Sequence, residues 1–336
     1  MKAYQLLAAT GVEALKQAQL PEPQPAPGQV LVRVRAASLN YRDLMVASGR
    51  YGAGLPTPLI PLSDGAGEIV AVGAGVTRWK AGDRVAGTFF QNWQSGPMRR
   101  EVFGAALGGS INGMLAEYVA LSAEGVVALP PHLSFEEAAT LPCAALTAWH
   151  ALVTSGKVAA GQTVLVLGTG GVSIFALQFA KMQGARVLIT SSSDAKLARA
   201  RALGADEAIN YRTTPNWEKE VFRLTDEAGA DHVIEVGGTD TFPRSLRAVA
   251  MGGTVSVIGG VSGFTSEVAL RDILGKSLNI RGIFVGSRDM FLAMNRAIAQ
   301  HKLKPVVDRV FPFSEAPAAY GYQESGAHFG KVVITV

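Results

Sequence analysis

The sequence predicts an α/β protein in which a β-rich part precedes a doubly wound parallel sheet and the tail returns to mixed structure. Three observations predict it. Val164-Leu-Val-Leu167 is an unbroken apolar run, as in a strand buried on both faces, and it leads into a glycine cluster, Gly168-Thr-Gly170-Gly171. Beyond the cluster Val172, Phe175, Ala176 and Phe179 recur at helical spacing, and Arg186-Val-Leu-Ile-Thr190 supplies a second strand. Before it, roughly the first hundred residues are strand-like and rich in turns, with few helical patterns.

Strand, glycine turn, helix and second strand make the Rossmann βαβ unit that binds a dinucleotide. A side chain at Gly170 would keep a pyrophosphate from the backbone, and the unpaired N–H groups of the helix's first turn attract its negative charge. The full pattern is G-x-G-x-x-G, and here Ser173 holds the third position. Serine is small enough to replace the glycine that lets helix and strand pack closely.

At 336 residues the chain has room for about two domains. With 48% hydrophobic and 17% charged residues, it can bury a large core. The net charge of +4 is small, and its basic residues (Arg33, Arg35, Arg99, Arg100, Arg199, Arg201) form no dense run with interleaved aromatics, which argues against nucleic-acid binding. The N-terminal residues lack the apolar stretch of a signal peptide, and no run reaches the length of a membrane span. A single cysteine excludes an intrachain disulfide. These features together point to a cytoplasmic protein without membrane contact.

Element by element, the proline-rich turn of residues 21–28 introduces the strand Gln29–Arg35. Gly67–Gly73, Trp79–Val85 and Leu115–Ala120 continue the strand pattern. Ser134 followed by Glu137 reads as a capping box, and helical periodicity begins there. The βα series then runs through helix Ala195–Leu203, strand Ala208–Asn210, helix Asn216–Ala228, strand His232–Val236, helix Thr239–Val249 and strand Gly253–Gly259. The last apolar strand is Leu278–Val285, giving a sheet of about six strands. The tail holds helix Arg288–Gln300, strand Arg309–Phe311, helix Ala316–Glu324 and strand Lys331–Val336.

Several motifs follow one another in a distinctive order. They are Ala37-Ser-Leu-Asn-Tyr-Arg-Asp43, Ser63-Asp-Gly-Ala-Gly-Glu-Ile-Val-Ala-Val-Gly73, Gly82-Asp-Arg-Val85, Leu141-Pro-Cys-Ala-Ala-Leu-Thr-Ala-Trp149, the glycine turn, Leu203-Gly-Ala-Asp206 and His328-Phe-Gly-Lys-Val-Val333. In this the chain resembles the medium-chain dehydrogenase/reductase superfamily over essentially its whole length. The resemblance implies a GroES-like β-rich catalytic domain over residues 1–125 and 290–336, with a Rossmann domain over residues 126–289.

Zinc-dependent alcohol dehydrogenases of that superfamily hold the metal with a cysteine, a histidine and a second cysteine. The positions that match by motif are Asn40, Ser63 (with Asp64 beside it) and Cys143, and only the last keeps a ligand type. Residues 91–110, which match the structural-zinc loop, contain no cysteine. No metal is therefore expected, and Cys143 reads as a small buried hydrophobe. What remains is similar to the zinc-independent branch of quinone oxidoreductases and enone reductases. In that branch a nicotinamide cofactor reduces a small apolar quinone or α,β-unsaturated carbonyl.

An acid at the end of the second strand would bond the adenosine ribose and repel a 2′-phosphate. Here Ser191 and Ser192 stand at that point, Lys196 follows in the next helix, and Tyr211 matches an adenosine-side tyrosine. The set favours NADP(H) over NAD(H), with Asp194 opposing and serving as a helix cap. Further cofactor contacts implied by the resemblance are Asn40, Thr147, Gly168, Gly170, Gly171, Val172, Val236, Gly259, Phe284 and Val285. Lys331 is expected near the pyrophosphate. Tyr51 is the candidate proton-bearing group, with Asn40 and Tyr41 beside the reaction and Arg42 pairing with a neighbouring acid to hold the loop. Phe89–Trp93 suggest an apolar pocket. The resemblance also implies a homodimer joined along the last strand of the nucleotide sheet. An alcohol or aldehyde oxidoreductase and a non-catalytic NAD(P)-binding protein are the competing readings.

Overall fold

The computed structural model describes residues 1–52 and 54–336. The chain divides into two compact units: Met1–Leu146 with Val285–Val336, and Thr147–Phe284. In the first unit β1 (Lys2–Leu6) and β2 (Leu15–Gln19) pair antiparallel. The proline-rich turn leads into β3 (Gln29–Leu39), and α1 (Tyr41–Ala47) follows directly with Asn40 as its N-cap. Next come β4 (Asp64–Val72), β5 (Arg84–Gly87), β6 (Tyr118–Ser122) and β7 (Val126–Ala128).

The strand expected from Trp79 begins only at Arg84. Asp83 accepts the Lys80 N–H at 3.0 Å, closing a turn, and the Trp79 indole N–H is drawn to the Ala123 carbonyl at 2.8 Å. The sequence predicts a domain break at 125/126, whereas the division falls at 146/147, because β7 pairs with β5 in the first unit's sheet. The second break lies at 284/285 rather than 289/290.

The second unit is a βα series: β8 (Thr163–Leu167), α2 (Gly171–Met182), β9 (Arg186–Ser191), α3 (Asp194–Ala202) and β10 (Glu207–Asn210) form its first half. The second half is α4 (Trp217–Leu224), β11 (Ala230–Glu235), α5 (Phe242–Ala248), β12 (Val249–Val257), α6 (Leu270–Leu274) and β13 (Asn279–Gly282). The strands lie in the order β10-β9-β8-β11-β12-β13, all parallel. Their carboxyl ends therefore share one edge, and the strand order reverses between β8 and β11, the switch point where such sheets bind ligands.

Two helices are shorter than the periodicity predicts. α4 stops at Leu224 because the Thr225 hydroxyl donates back to the Val221 carbonyl at 2.8 Å, after which Asp226 and Glu227 take left-handed backbone with φ of 50° and 63°. α5 starts at Phe242 because residues 237–241 are engaged by Glu235, described below. β13 ends at Gly282, short of the Val285 that the apolar run suggests.

Ser173 is buried, and its hydroxyl donates to the Leu167 carbonyl at 2.7 Å. The third position of the glycine pattern is thus filled by a side chain that binds the end of β8 while α2 packs down on it. Trp149 meets Phe179 of α2 edge to face at 5.5 Å, and Phe175 stacks on Phe179 at 5.9 Å.

The tail adds α7 (Arg288–His301), β14 (Val307–Pro312), α8 (Ala316–Glu324) and β15 (Lys331–Thr335). The first unit's sheet runs β14-β15-β3-β4-β5-β7, with β6 also on β3. Its core includes Val32, Leu39, Ile69, Leu121, Tyr320 and Ile334. Val332 pairs with Leu39 and Ser38 with Asp64, so the starts of β15 and β4 meet the end of β3. No helix among the described residues is long and apolar enough to cross a membrane.

Ser173→Ala removes one buried hydrogen bond and is expected to cost about 1 kcal/mol. The urea midpoint of the variant, read against wild type at unchanged m-value, checks this.

Candidate functional site

Gly168, Gly170, Ser191, Val236 and Gly259, which the sequence singles out, lie at or just beyond the carboxyl ends of parallel strands, whereas Asn40, Val285 and Lys331 belong to the first unit. Gly168 follows β8 with φ +73°, a left-handed conformation that favours glycine, and its N–H donates to the Thr190 hydroxyl at 3.3 Å. Gly170 is the N-cap of α2, and Gly171 and Val172 open the helix. Their N–H groups have no intrahelical acceptor, and Gly170 places no side chain over them. A pyrophosphate fits this combination.

At the end of β9, Ser191 is buried and its hydroxyl accepts the Ser193 N–H at 3.3 Å, while Ser192 is half-buried. The Tyr211 N–H donates to the Ser191 carbonyl at 3.1 Å, which fixes the exposed tyrosine beside the serines. Lys196 sits one turn into α3. The helix cap is Ser193, whose hydroxyl accepts the Lys196 N–H at 3.4 Å, and not Asp194 as the sequence suggests. Asp194 instead accepts the Asn210 amide at 2.7 Å.

Val236 and Gly259 follow β11 and β12, and a Cβ at Gly259 would stand 2.9 Å from the Val236 carbonyl, so the two loops touch. Phe284 is exposed beyond β13, and Thr147 is buried in the same unit. Val285 belongs to the first unit, buried with φ +49°. Sequence reasoning missed Glu235. This wholly buried carboxylate accepts the Gly237 N–H at 2.7 Å, the Gly238 N–H at 3.0 Å and the Thr241 hydroxyl at 2.6 Å, together with the Ser245 hydroxyl. It holds the loop after β11 in one shape; an acid ending an apolar strand just before two glycines was the available signal.

In the first unit a polar cluster is built where β3, β4 and β15 meet. Lys331 opens β15 with only 2% of its surface exposed. Its ammonium donates to the Asn40 side-chain oxygen at 2.5 Å and to the Leu39 carbonyl, and lies 3.9 Å from Asp64. Asp64, itself fully buried, accepts the Ser63 hydroxyl at 2.7 Å and the Cys143 N–H at 3.2 Å. Burial pushes Asp64 up and Lys331 down, and the ion pair works against both shifts. Burial, helped by Asp64, also pushes the Cys143 thiol up, so it is no thiolate at neutral pH. These contacts place Lys331 among Asn40, Asp64 and the Leu39 carbonyl.

A second group adjoins it. The Asn40 N–H donates to Asp43 at 2.7 Å, and Arg42 pairs with Asp43 at 3.3 Å while donating to the Leu107 carbonyl at 3.0 Å. The Arg42 guanidinium lies 4.5 Å from the Tyr51 ring centroid and 4.9 Å from that of Phe89. Burial raises the Tyr51 phenol above its ordinary range against the opposing pull of Arg42, so Tyr51 keeps its proton. Tyr41 is partly exposed at the first position of α1. Phe89, Phe90 and Trp93 are buried and pack edge to face on one another, as core rather than as an open apolar wall. The Asn40–Asp43 spacing was the legible sign of this group, a carboxylate three residues after a helix cap.

Residues 26–131 match the family described as alcohol dehydrogenase GroES-like domain, and residues 171–300 match zinc-binding dehydrogenase. A zinc-type alcohol dehydrogenase-like protein of Schizosaccharomyces pombe is 48% identical over 334 residues, covering 97% of this chain and 96% of the other. The chain belongs to the medium-chain dehydrogenase/reductase superfamily. A quinone oxidoreductase of Pseudomonas aeruginosa is 35% identical, over 94% of this chain and 88% of its own. A solved NAD-dependent alcohol dehydrogenase superposes with a TM-score of 0.92 at 39% identity, covering 100% of both chains. This member of the superfamily therefore has oxidoreductase architecture, a GroES-like domain and a Rossmann sheet.

The second family name raises the question of zinc, and the side chains present do not fit it. Asn40 already gives its oxygen to an ammonium, Asp64 accepts two hydrogen bonds beside that cation, and Ser63 spends its hydroxyl hydrogen on Asp64. Among the described residues no three of His, Cys, Asp and Glu are grouped to hold a metal.

Burial, the largest influence, pushes Asp43 up to about 6 against the pull of Arg42. An unfolded aspartate releases its proton near pH ~4. Between those values the folded chain binds more protons, so this group lowers stability as pH rises from about 4 to 6 and contributes no slope above. Urea unfolding at several pH values is expected to show that slope in wild type, at most about 1.4 kcal/mol per pH unit, and to lose it in Asp43→Asn.

Proposed function

We infer that the chain is a zinc-independent oxidoreductase that uses NADPH in preference to NADH to reduce a small apolar quinone or α,β-unsaturated carbonyl. The observation that carries this reading is the Lys331 ammonium bound to Asn40 beside Asp64, at the positions that match a metal's ligands by motif. Without a Lewis acid, charge developing on the acceptor must be stabilised by the acceptor itself, and a carbonyl conjugated to the reacting carbon, or a quinone, does so. The nicotinamide, when bound, supplies the hydride.

The chain's own groups bind, orient and hold protons. The first turn of α2 receives the pyrophosphate. Ser191, Ser192, Lys196 and Tyr211 provide hydroxyls and a positive charge, and no acid ends β9 to repel a 2′-phosphate. Tyr51 retains its phenolic proton at neutral pH and is the hydrogen-bond donor for a developing enolate or phenolate oxygen, with Arg42 against its ring. The second reading, an alcohol or aldehyde oxidoreductase, draws support from the similarity to the NAD-dependent alcohol dehydrogenase.

The reading includes a second copy of the chain as partner. All four residues of β13 are exposed at the sheet edge, and so are Leu270 (77% exposed) and Leu274 (81%) of α6. The opposite edge strand, β10, carries Glu207 in ion pairs with Arg186 and Arg201, charges of the kind that discourage pairing.

Fluorescence titration of metal-analysed protein with NADPH and NADH in parallel tests the cofactor choice. NADPH is expected to bind tighter, with Lys196→Ala weakening NADPH alone by about tenfold, or about 1.4 kcal/mol. Equal or tighter NADH binding would overturn the phosphate reading, and turnover of alcohols without enones or quinones would favour the second reading. Ile280→Pro, which deletes an edge N–H, is expected to convert a dimer to monomers in sedimentation velocity.

A further inference from the structure

Arg42 carries more hydrogen-bond donors than the fold employs. It is buried at the second position of α1, where Nη1 donates to the Asp43 carboxylate at 3.3 Å and to the Leu107 carbonyl at 3.0 Å. The donors on Nε and Nη2 have no acceptor among the described residues, although both atoms are shut off from water. Buried donors left unpaired are costly, which sets these two atoms apart from the satisfied groups around them. The backbone nevertheless makes room for them: a Cβ at Gly109 would stand 2.5 Å from Nη2.

Tyr51 is the neighbour that can use these donors, its ring centroid 4.5 Å from the guanidinium carbon. A neutral phenol offers the cation mainly its ring face, whereas a phenolate oxygen is a strong acceptor for charged N–H groups. The other titratable groups facing the pair are Asp43, Cys143 and Tyr320. Burial keeps the proton on the Cys143 thiol and on the Tyr320 phenol, which leaves Asp43 as the anion opposing a tyrosinate. Lys331 and Asp64 act on Asp43 from the adjoining cluster.

We propose that Arg42 is a positioning residue for proton release by Tyr51: its permanent charge and its unspent Nε and Nη2 donors are held for the tyrosine oxygen once that oxygen has lost its proton. Release breaks the phenol O–H bond, leaves the electron pair on the tyrosine oxygen and moves the proton to the enolate or phenolate oxygen of the reduced acceptor. A proton from solvent then restores the phenol. The donor role of Tyr51 rests on the functional reading above, whereas the coupling of Arg42 to its phenol does not.

The test places 3,5-difluorotyrosine at position 51 of the full chain and follows its fluorine NMR shift against pH, with no cofactor added. Arg42→Gln is expected to raise the ionisation midpoint by about one pH unit, a tenfold loss of acidity, and Arg42→Lys to restore part of it. Water admitted by lost packing alone would lower the midpoint instead, so a midpoint unchanged or lowered in Arg42→Gln overturns the proposal. If that variant does not fold, Gly109→Ala replaces it. The added methyl displaces Nη2 while the charge stays, so a smaller rise is expected and no rise overturns the proposal. Turnover separates the two readings: Arg42→Gln is expected to lower kcat by up to about tenfold with the Kd for NADPH unchanged. A protein that shows the fluorine shift yet reduces no enone or quinone would end the functional reading alone. One that reduces them without the shift would end only the role given to Arg42.

Discussion

Charge buried away from water has to be matched by charge and hydrogen bonds, and the first unit is arranged around that requirement. Lys331 and Asp64 are both sealed from solvent, and removing one member of such a pair costs about 3–5 kcal/mol because the other is left stranded. Their meeting depends on strand register. Val332 opposes Leu39 and Asp64 opposes Ser38, so β15 and β4 both deliver their first residues to the end of β3. A slip of one residue would turn either charge to the other face. The neighbouring pair, Arg42 and Asp43, obeys the same rule through α1, with the Asn40 N–H and the Leu107 carbonyl supplying what the ion pair alone does not.

The second unit answers to a different constraint. Six parallel strands bring six carboxyl ends to one edge, so residues far apart in sequence become neighbours without any long-range design of side chains. What the side chains add is shape. Ser173 clamps α2 to the end of β8, and Glu235 gathers two backbone N–H groups and two hydroxyls to hold the loop after β11. Both use a buried polar atom where an unpaired one would be costly.

A metal ion and an ammonium offer a substrate different things. A metal with an open position accepts an oxygen lone pair and polarises the bond behind it. An ammonium that donates to Asn40 and to the Leu39 carbonyl, and pairs with Asp64 at 3.9 Å, has no vacant orbital and offers no such position.

Much of the fold was legible because periodicity and glycine placement are local properties. The apolar run at Val164, the glycine cluster and the alternation beyond it were enough for the parallel sheet, and α8 (Ala316–Glu324) has the limits that the pattern predicts. Ends of elements were less legible. They were decided by side chains bonding back to the main chain, as Thr225 does to Val221 and Asp83 to Lys80. The places of Ser191 and Gly168 at the ends of β9 and β8 also lay in the sequence, since a strand's limit is visible there. The partners of Lys331, Asp64 and Glu235 were not. A buried ion pair joins residues 267 positions apart through the register of three strands, and a sequence states which charges exist without stating which of them will be denied water.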